Sequence, residues 1–138
     1  MTSTKVEKPL PDRDELSTPF WEASRRHELV LQNCQKCGSY RYPAGPFCPE
    51  CLSDELEWRK VSGRGVIYTW TVFYRAYHPA FASDLPYAVV VVELEEGPRI
   101  ISTLVDCKLT DIKIDMPVEV TFEDVSDEIS LPKFRPVK

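Results

Sequence analysis

The apolar positions of this chain follow one rule after residue 60 and another before it. From residue 66 onward they come in short runs, rich in β-branched and aromatic residues and cut by Pro, Gly and acidic turns. Residues 66–74 (Val-Ile-Tyr-Thr-Trp-Thr-Val-Phe-Tyr) read as one strand, and residues 87–94, with four consecutive valines, as a second. Residues 99–104 return from a Glu-Glu-Gly-Pro turn. Residues 118–122 alternate apolar and polar, and residues 131–134 form a last short strand. Five strands with no long helix predict a small closed or partly open β-barrel, and closure hides the edges of such apolar strands.

Before residue 60 the elements are shorter. Residues 1–16 are polar, with Pro9 and Pro11, and predict an arm. Thr18 is the expected cap of a helix running from Pro19 to about His27, because proline lacks the N–H that a first helical turn cannot use. Phe20, Trp21 and Ala23 supply its apolar side, and Arg25 and Arg26 suit its C-terminal dipole. Residues 29–32 read as a strand and residues 38–47 as a turn-rich hairpin. The expected organisation is an arm and helix over residues 1–28, a ribbon over 29–60 and a barrel over 61–138. The fold class is mainly β, and 12 prolines in 138 residues agree with short strands and ordered loops.

Charge narrows the function. The formal net charge is −5, which argues against broad binding of a phosphate backbone while leaving room for a local basic pocket. No apolar run approaches the length of a membrane helix, and the N-terminal residues lack an apolar signal region, so the chain reads as cytoplasmic.

Four of the five cysteines fall in two C-x-x-C pairs, Cys34/Cys37 and Cys48/Cys51, separated by ten residues. In a reducing compartment this spacing points to metal rather than disulfides. Two knuckles facing each other complete a tetrahedron of four thiolates with no open position, which is a structural site, and zinc is the expected ion. A rubredoxin-like iron site and a pair of redox dithiols are the alternatives. Cys107 is left over and reads as a small buried hydrophobe.

The ordered motifs carry a resemblance. They are Thr18-Pro19-Phe20-Trp21, the four cysteines, Pro49 inside the second pair, Trp58 and Ser62-Gly63-Arg64-Gly65. They continue through Tyr74-Arg75-Ala76-Tyr77-His78-Pro79-Ala80-Phe81, then Leu85-Pro86-Tyr87, then Glu93-Leu94-x-Glu96-Gly97-Pro98-Arg99. Over nearly the whole chain from about residue 10, these residues resemble the DUF35 family. The resemblance implies a rubredoxin-like zinc ribbon followed by a C-terminal OB-fold. It also implies an accessory subunit that binds acyl-CoA together with a thiolase or thiolase-like lipid-transfer protein, sometimes with hydratase domains, in a hetero-oligomer.

On that reading Arg64, between two glycines, is a candidate contact for a CoA phosphate. The loop carrying Arg75, Tyr77, His78, Phe81 and Tyr87 is a candidate wall for an acyl or pantetheine channel. The bland readings are a solvated turn arginine and aromatics that cap the barrel. Lys133, Arg135 and Lys138 form a basic tail, solvated or reaching CoA phosphates. There is no Ser-His-Asp order, G-x-x-x-x-G-K-[ST], G-x-G-x-x-G or H-E-x-x-H motif, so the chain is not expected to be an enzyme on its own. The competing function is single-stranded nucleic-acid binding, with Tyr68, Trp70, Phe73 and Tyr74 stacking bases. A third is electron transfer through iron in the cysteine site.

Overall fold

The computed structural model describes residues 10, 11, 14–76 and 78–137. Residues 1–9, 12 and 13 of the expected arm, Tyr77 and Lys138 lie outside the described residues.

A helix, α1 (Thr18–Arg25), opens the fold. Thr18 is not its cap. Ser17 holds that position without a side-chain bond, and the turn is fixed one step earlier, where the Asp14 carboxylate accepts from the Ser17 N–H at 2.7 Å. The Thr18 hydroxyl donates to the Asp14 carbonyl at 2.6 Å. The helix ends before the expected His27, because His27 turns left-handed (φ 59°) and the Glu28 N–H bonds the Ala23 carbonyl at 2.9 Å.

The ribbon is a three-stranded antiparallel sheet of β1 (Val30–Cys34), β2 (Tyr40–Arg41) and β3 (Leu56–Lys60), in the order β2-β1-β3. All five residues of β1 are buried, because the sheet packs on α1 and on the barrel.

The barrel comprises β4 (Arg64–Phe73), β5 (Tyr87–Leu94), β6 (Arg99–Leu104), β7 (Pro117–Asp124) and β8 (Ser130–Pro136). It closes in the order β4-β5-β6-β8-β7, with β4 pairing back to β7. Among the described strands only β6 and β8 pair in parallel. The valine run of β5 resolves into strict alternation: Ala88, Val90, Val92 and Leu94 point inward at 2 % exposure or less, while Val89 and Val91 face outward. With Ile67, Ile100, Val118 and Phe134 they fill the barrel, each fully buried Val, Leu, Ile or Phe side chain contributing about 1.5–3 kcal/mol. A bulge in β4 between Ile67 and Thr69 turns Tyr68 outward, where the Arg99 guanidinium lies 3.7 Å above its ring.

Ribbon and barrel share one core, since Phe20, Leu29, Leu31 and Val61 belong to the same apolar cluster as the barrel residues. The link between them turns at Gly63 (φ 75°), where an added Cβ would strike the Val120 side chain and whose carbonyl accepts from the Val120 N–H at 2.7 Å. The Ser62 N–H donates to the Glu96 carboxylate at 2.8 Å, tying this link to the β5–β6 turn.

A polar cluster pins the end of α1 to the barrel. His27 stacks on Phe122 and its Nε2 lies 2.9 Å from the Asp124 carboxylate, which also accepts from the buried Ser130 hydroxyl and has Arg25 at 3.9 Å. The Ser130 hydroxyl, then His27, hold the Asp124 pKa below its ordinary 3.8. A carboxyl whose folded value is depressed adds stability above its unfolded value, and that stability is lost as pH falls through the folded value. Asp124→Asn is therefore expected to lower the melting temperature at pH 7 and to shrink its difference from the parent as pH falls below about 4, read by thermal melts across pH.

The basic tail is not a loose end. Lys133 and Arg135 lie on β8 and pair across to Glu123 and to Glu119 (3.1 Å) on β7.

Candidate functional site

The four paired cysteines converge. Cys34 ends β1, and its N–H bonds the Ser39 carbonyl at 2.8 Å while the Gly38 N–H returns to its own carbonyl at 2.8 Å. The second knuckle repeats this with Cys48, Ser53 and Leu52, again at 2.8 Å each. Sγ separations are 3.5 Å for Cys34–Cys51 and 3.6 Å for Cys37–Cys48, and all four sulfurs lie within 4.8 Å of one another. A tetrahedron with metal–sulfur bonds of about 2.3 Å has edges of about 3.8 Å, so the sulfurs already stand at ligand spacing. Cys34 and Cys48 are buried, Cys51 is half-buried and Cys37 is exposed.

Their acidities diverge. Hydrogen bonds from the Ser39 hydroxyl and backbone bring Cys37 down to about 6. The Ser53 backbone acts to lower Cys51, yet burial and the neighbouring thiols carry it up to about 12. Four thiolates in contact repel one another, and a bound cation is what lets all of them ionise together. The donor set fits zinc held by four sulfurs, with no position left for substrate.

The second knuckle carries a conformational cost that the first avoids. Gly38 closes the first turn at φ 80°, whereas Leu52 closes the second at φ 63°, a left-handed conformation costing about 1–2 kcal/mol for a residue with a Cβ.

The other candidates divide between the two ends of the barrel. At one end, β4 and β5 meet where Phe73 faces Tyr87, and the loop between them carries a short 3₁₀ turn, Pro79–Asp84. There Phe73, Tyr87, Phe81 and His78 form a chain of ring contacts, with centroids 5.3, 6.3 and 5.9 Å apart. Tyr74 stands beside them, 75 % exposed, next to the exposed Arg75. His78 caps the 3₁₀ turn, its Nδ1 accepting the Ala80 N–H at 3.1 Å.

Arg64 lies at the other end. Gly65 faces Leu94 there, and Arg64 borders a cleft of about 530 Å³ with Glu93, Glu95, Pro117 and Val137. Nine strand steps separate Arg64 from Phe73, roughly 30 Å at 3.3 Å per residue. Arg64 and the aromatic loop thus do not form one pocket. The cysteine centre shares the Arg64 end of the barrel, for Cys34 and Cys48 border a cleft with Glu96, Gly97 and Pro98 of the β5–β6 turn.

The stacking aromatics also divide. Trp70 packs against the core, Phe73 is half-buried, and Tyr68 lies under Arg99. Among the described residues no helix is long and apolar enough to cross a membrane.

Comparison with known proteins agrees with this architecture. Residues 21–57 match the family described as ChsH2, rubredoxin-like zinc ribbon domain, and residues 58–123 match ChsH2, C-terminal OB-fold domain. A DUF35 domain-containing scaffold protein of Methanocaldococcus jannaschii is 36 % identical over 84 % of this chain and 83 % of its own length. The chain belongs to the DUF35 family. Its fold is the one that the resemblance implies: a zinc ribbon whose four cysteines are positioned to bind a metal ion, followed by an OB-fold barrel.

This DUF35 chain is also similar to a protein of Thermomonospora curvata named "Probable enoyl-CoA hydratase alpha subunit", 40 % identical over 85 % of the chain. It spans 36 % of that protein's length. Among solved structures it resembles one named Ltp2-ChsH2(DUF35) aldolase, with a TM-score of 0.83 and 36 % identity, covering 92 % of this chain and 98 % of that one. These names overturn the expectation that the chain is not an enzyme. The expectation rested on the lack of a complete catalytic motif.

Two features escape the sequence reading. The His27–Asp124–Ser130 cluster joins residues far apart in sequence, so no local pattern marks it. The exposure of Leu52 is partly legible, because a leucine stands where the first knuckle has glycine.

Proposed function

We propose that this DUF35 chain is a subunit of an enzyme assembly acting on acyl-CoA, seated on a thiolase-like partner, with the loop between β4 and β5 walling the acyl-pantetheine channel. The single observation that carries this reading is the run of aromatic contacts from Phe73 through Tyr87 and Phe81 to His78 at one mouth of the barrel. Channels for acyl chains are mostly apolar with few polar groups, and a loop braced by ring contacts offers such a wall at a reduced ordering cost. Arg75, on the same loop, is the cation suited to the CoA phosphates at this end. Arg64 belongs to a different part of the contact, because the barrel stands between it and the loop. The four-cysteine site holds the ribbon in shape rather than taking part in chemistry. Names of relatives that refer to a CoA thioester, and to an aldolase containing a second protein, support the same reading.

The experiment is acyl-CoA turnover by the assembly reconstituted with Phe81→Ala and Tyr87→Ala variants of this chain. Both rings are half-buried at the surface end of the barrel, so the fold is expected to survive. The expected result is a loss of about tenfold or more in kcat/KM with the assembly intact on size exclusion. Parental turnover by both variants would overturn the reading.

A further inference from the structure

The two cysteine knuckles are one turn built with different residues, and the difference points outward. Both are closed by the same pair of backbone bonds, and both closing residues hold a positive φ. The first uses glycine, which adopts that conformation freely. The second uses Leu52, and Leu52 gains nothing inside the fold: it is 77 % exposed, the highest value among the exposed large apolar side chains described. Phe47, on the other side of the same closed turn, is 55 % exposed. Beside Leu52 the neighbouring charge is acidic, while on the Phe47 side the Arg41 guanidinium donates to the Phe47 carbonyl. From residue 47 to residue 58 the sequence holds Glu50, Asp54, Glu55 and Glu57, all exposed, of which Glu57 pairs with Arg59 at 3.4 Å.

We infer that the second knuckle is a docking knob: Leu52 and Phe47 enter an apolar socket on a partner protein, and the rim of that socket on the Leu52 side carries Lys and Arg. The partner is the assembly subunit of the proposed function, on which this inference rests. An apolar centre with a charged rim is the anatomy of a specific protein contact, and opposite charge on the facing rim speeds and orients the encounter. Glu50, Asp54 and Glu55 beside Leu52, with the net charge of −5, oppose nucleic acid and anionic lipid. A second copy of this chain also fits poorly, since each copy carries a net charge of −5. The metal-closed turn presents the knob already rigid, which spares the ordering cost of binding. The knuckle shares the Arg64 end of the barrel, so this contact is separate from the aromatic loop.

The test is a binding titration of the purified zinc-loaded chain against the purified thiolase-like protein of the same host, at low and high salt. Leu52→Gly, Leu52→Asn and Phe47→Ser are compared with the parent, each with its metal content and melting temperature. Leu52→Gly and Leu52→Asn relieve the backbone, so they are expected to keep the metal and to melt at or above the parental temperature. The expected result is an affinity lower by about tenfold or more for all three. Glu50→Lys with Glu55→Lys is expected to slow association and to weaken its salt dependence. Parental affinity in Leu52→Gly overturns the inference while leaving the proposed function standing. No binding by the parent chain overturns both. A parent that dimerises, with Leu52→Gly monomeric, makes the occupant a second copy and also overturns it.

Discussion

Cys48→Ser is expected to abolish metal binding and unfold the ribbon. Cys48 is 2 % exposed and its sulfur stands 3.6 Å from that of Cys37, so serine leaves a three-sulfur site with a buried hydroxyl. Four-sulfur zinc sites contribute about 10–16 kcal/mol to folding on an apparent scale, comparable to the whole stability of an ordinary domain at about 5–15 kcal/mol. The ribbon has no core of its own to replace that contribution, because Leu29 and Leu31 of its region pack into the cluster shared with the barrel. The expected measurement is zinc content falling from about one ion per chain to near zero, together with a lower and broader melt. A strong chelator is expected to reproduce the effect in the parent chain, with recovery on adding zinc. A Cys48→Ser chain that melts like the parent would show that the ribbon does not depend on the ion.

Phe134→Ala is expected to cost about 3–5 kcal/mol, a fall in melting temperature on the order of 10–20 °C. Phe134 is fully buried and sits where the barrel closes. Its backbone pairs in parallel with Leu104 of β6 and antiparallel with Val120 of β7, and its carbonyl accepts from the Val105 N–H at 2.8 Å. Removing the ring opens a cavity between the two halves of the barrel, which rigid strands on both sides cannot collapse to fill. Zinc content is expected to stay at the parental value, which separates this loss from that of Cys48→Ser. A change of under about 1 kcal/mol by denaturant titration would mean that the barrel core does not close through β8 as described.

What the sequence discloses, and what it hides, follows from the range of the interactions. The cysteine site is legible because a knuckle is local: two residues separate the ligands, and glycine at position 38 marks the reversal. The barrel is legible because closure forces alternation, visible in residues 118–122 and in the β-branched run of β4. β3 is not read as a strand, for Leu56-Glu57-Trp58-Arg59-Lys60 is largely polar and owes its shape to pairing along the whole of β1. Thr18 misleads as a cap because Asp14 organises the preceding turn from a distance that the cap rule does not consider. Arg64 and the aromatic loop look like neighbours in a motif list, yet a full-length strand holds them at opposite ends of the barrel. The ion pairs of Lys133 and Arg135 likewise appear only once β7 and β8 are in register.

The proposed role in acyl-CoA binding is tested by the acyl-CoA affinity of the proposed thiolase-like partner, measured by calorimetry with and without this chain. The expected affinity is tighter by about tenfold or more when the chain is present, and returns toward the partner-alone value when the chain carries Phe81→Ala and Tyr87→Ala. The same affinity with and without the chain would contradict it.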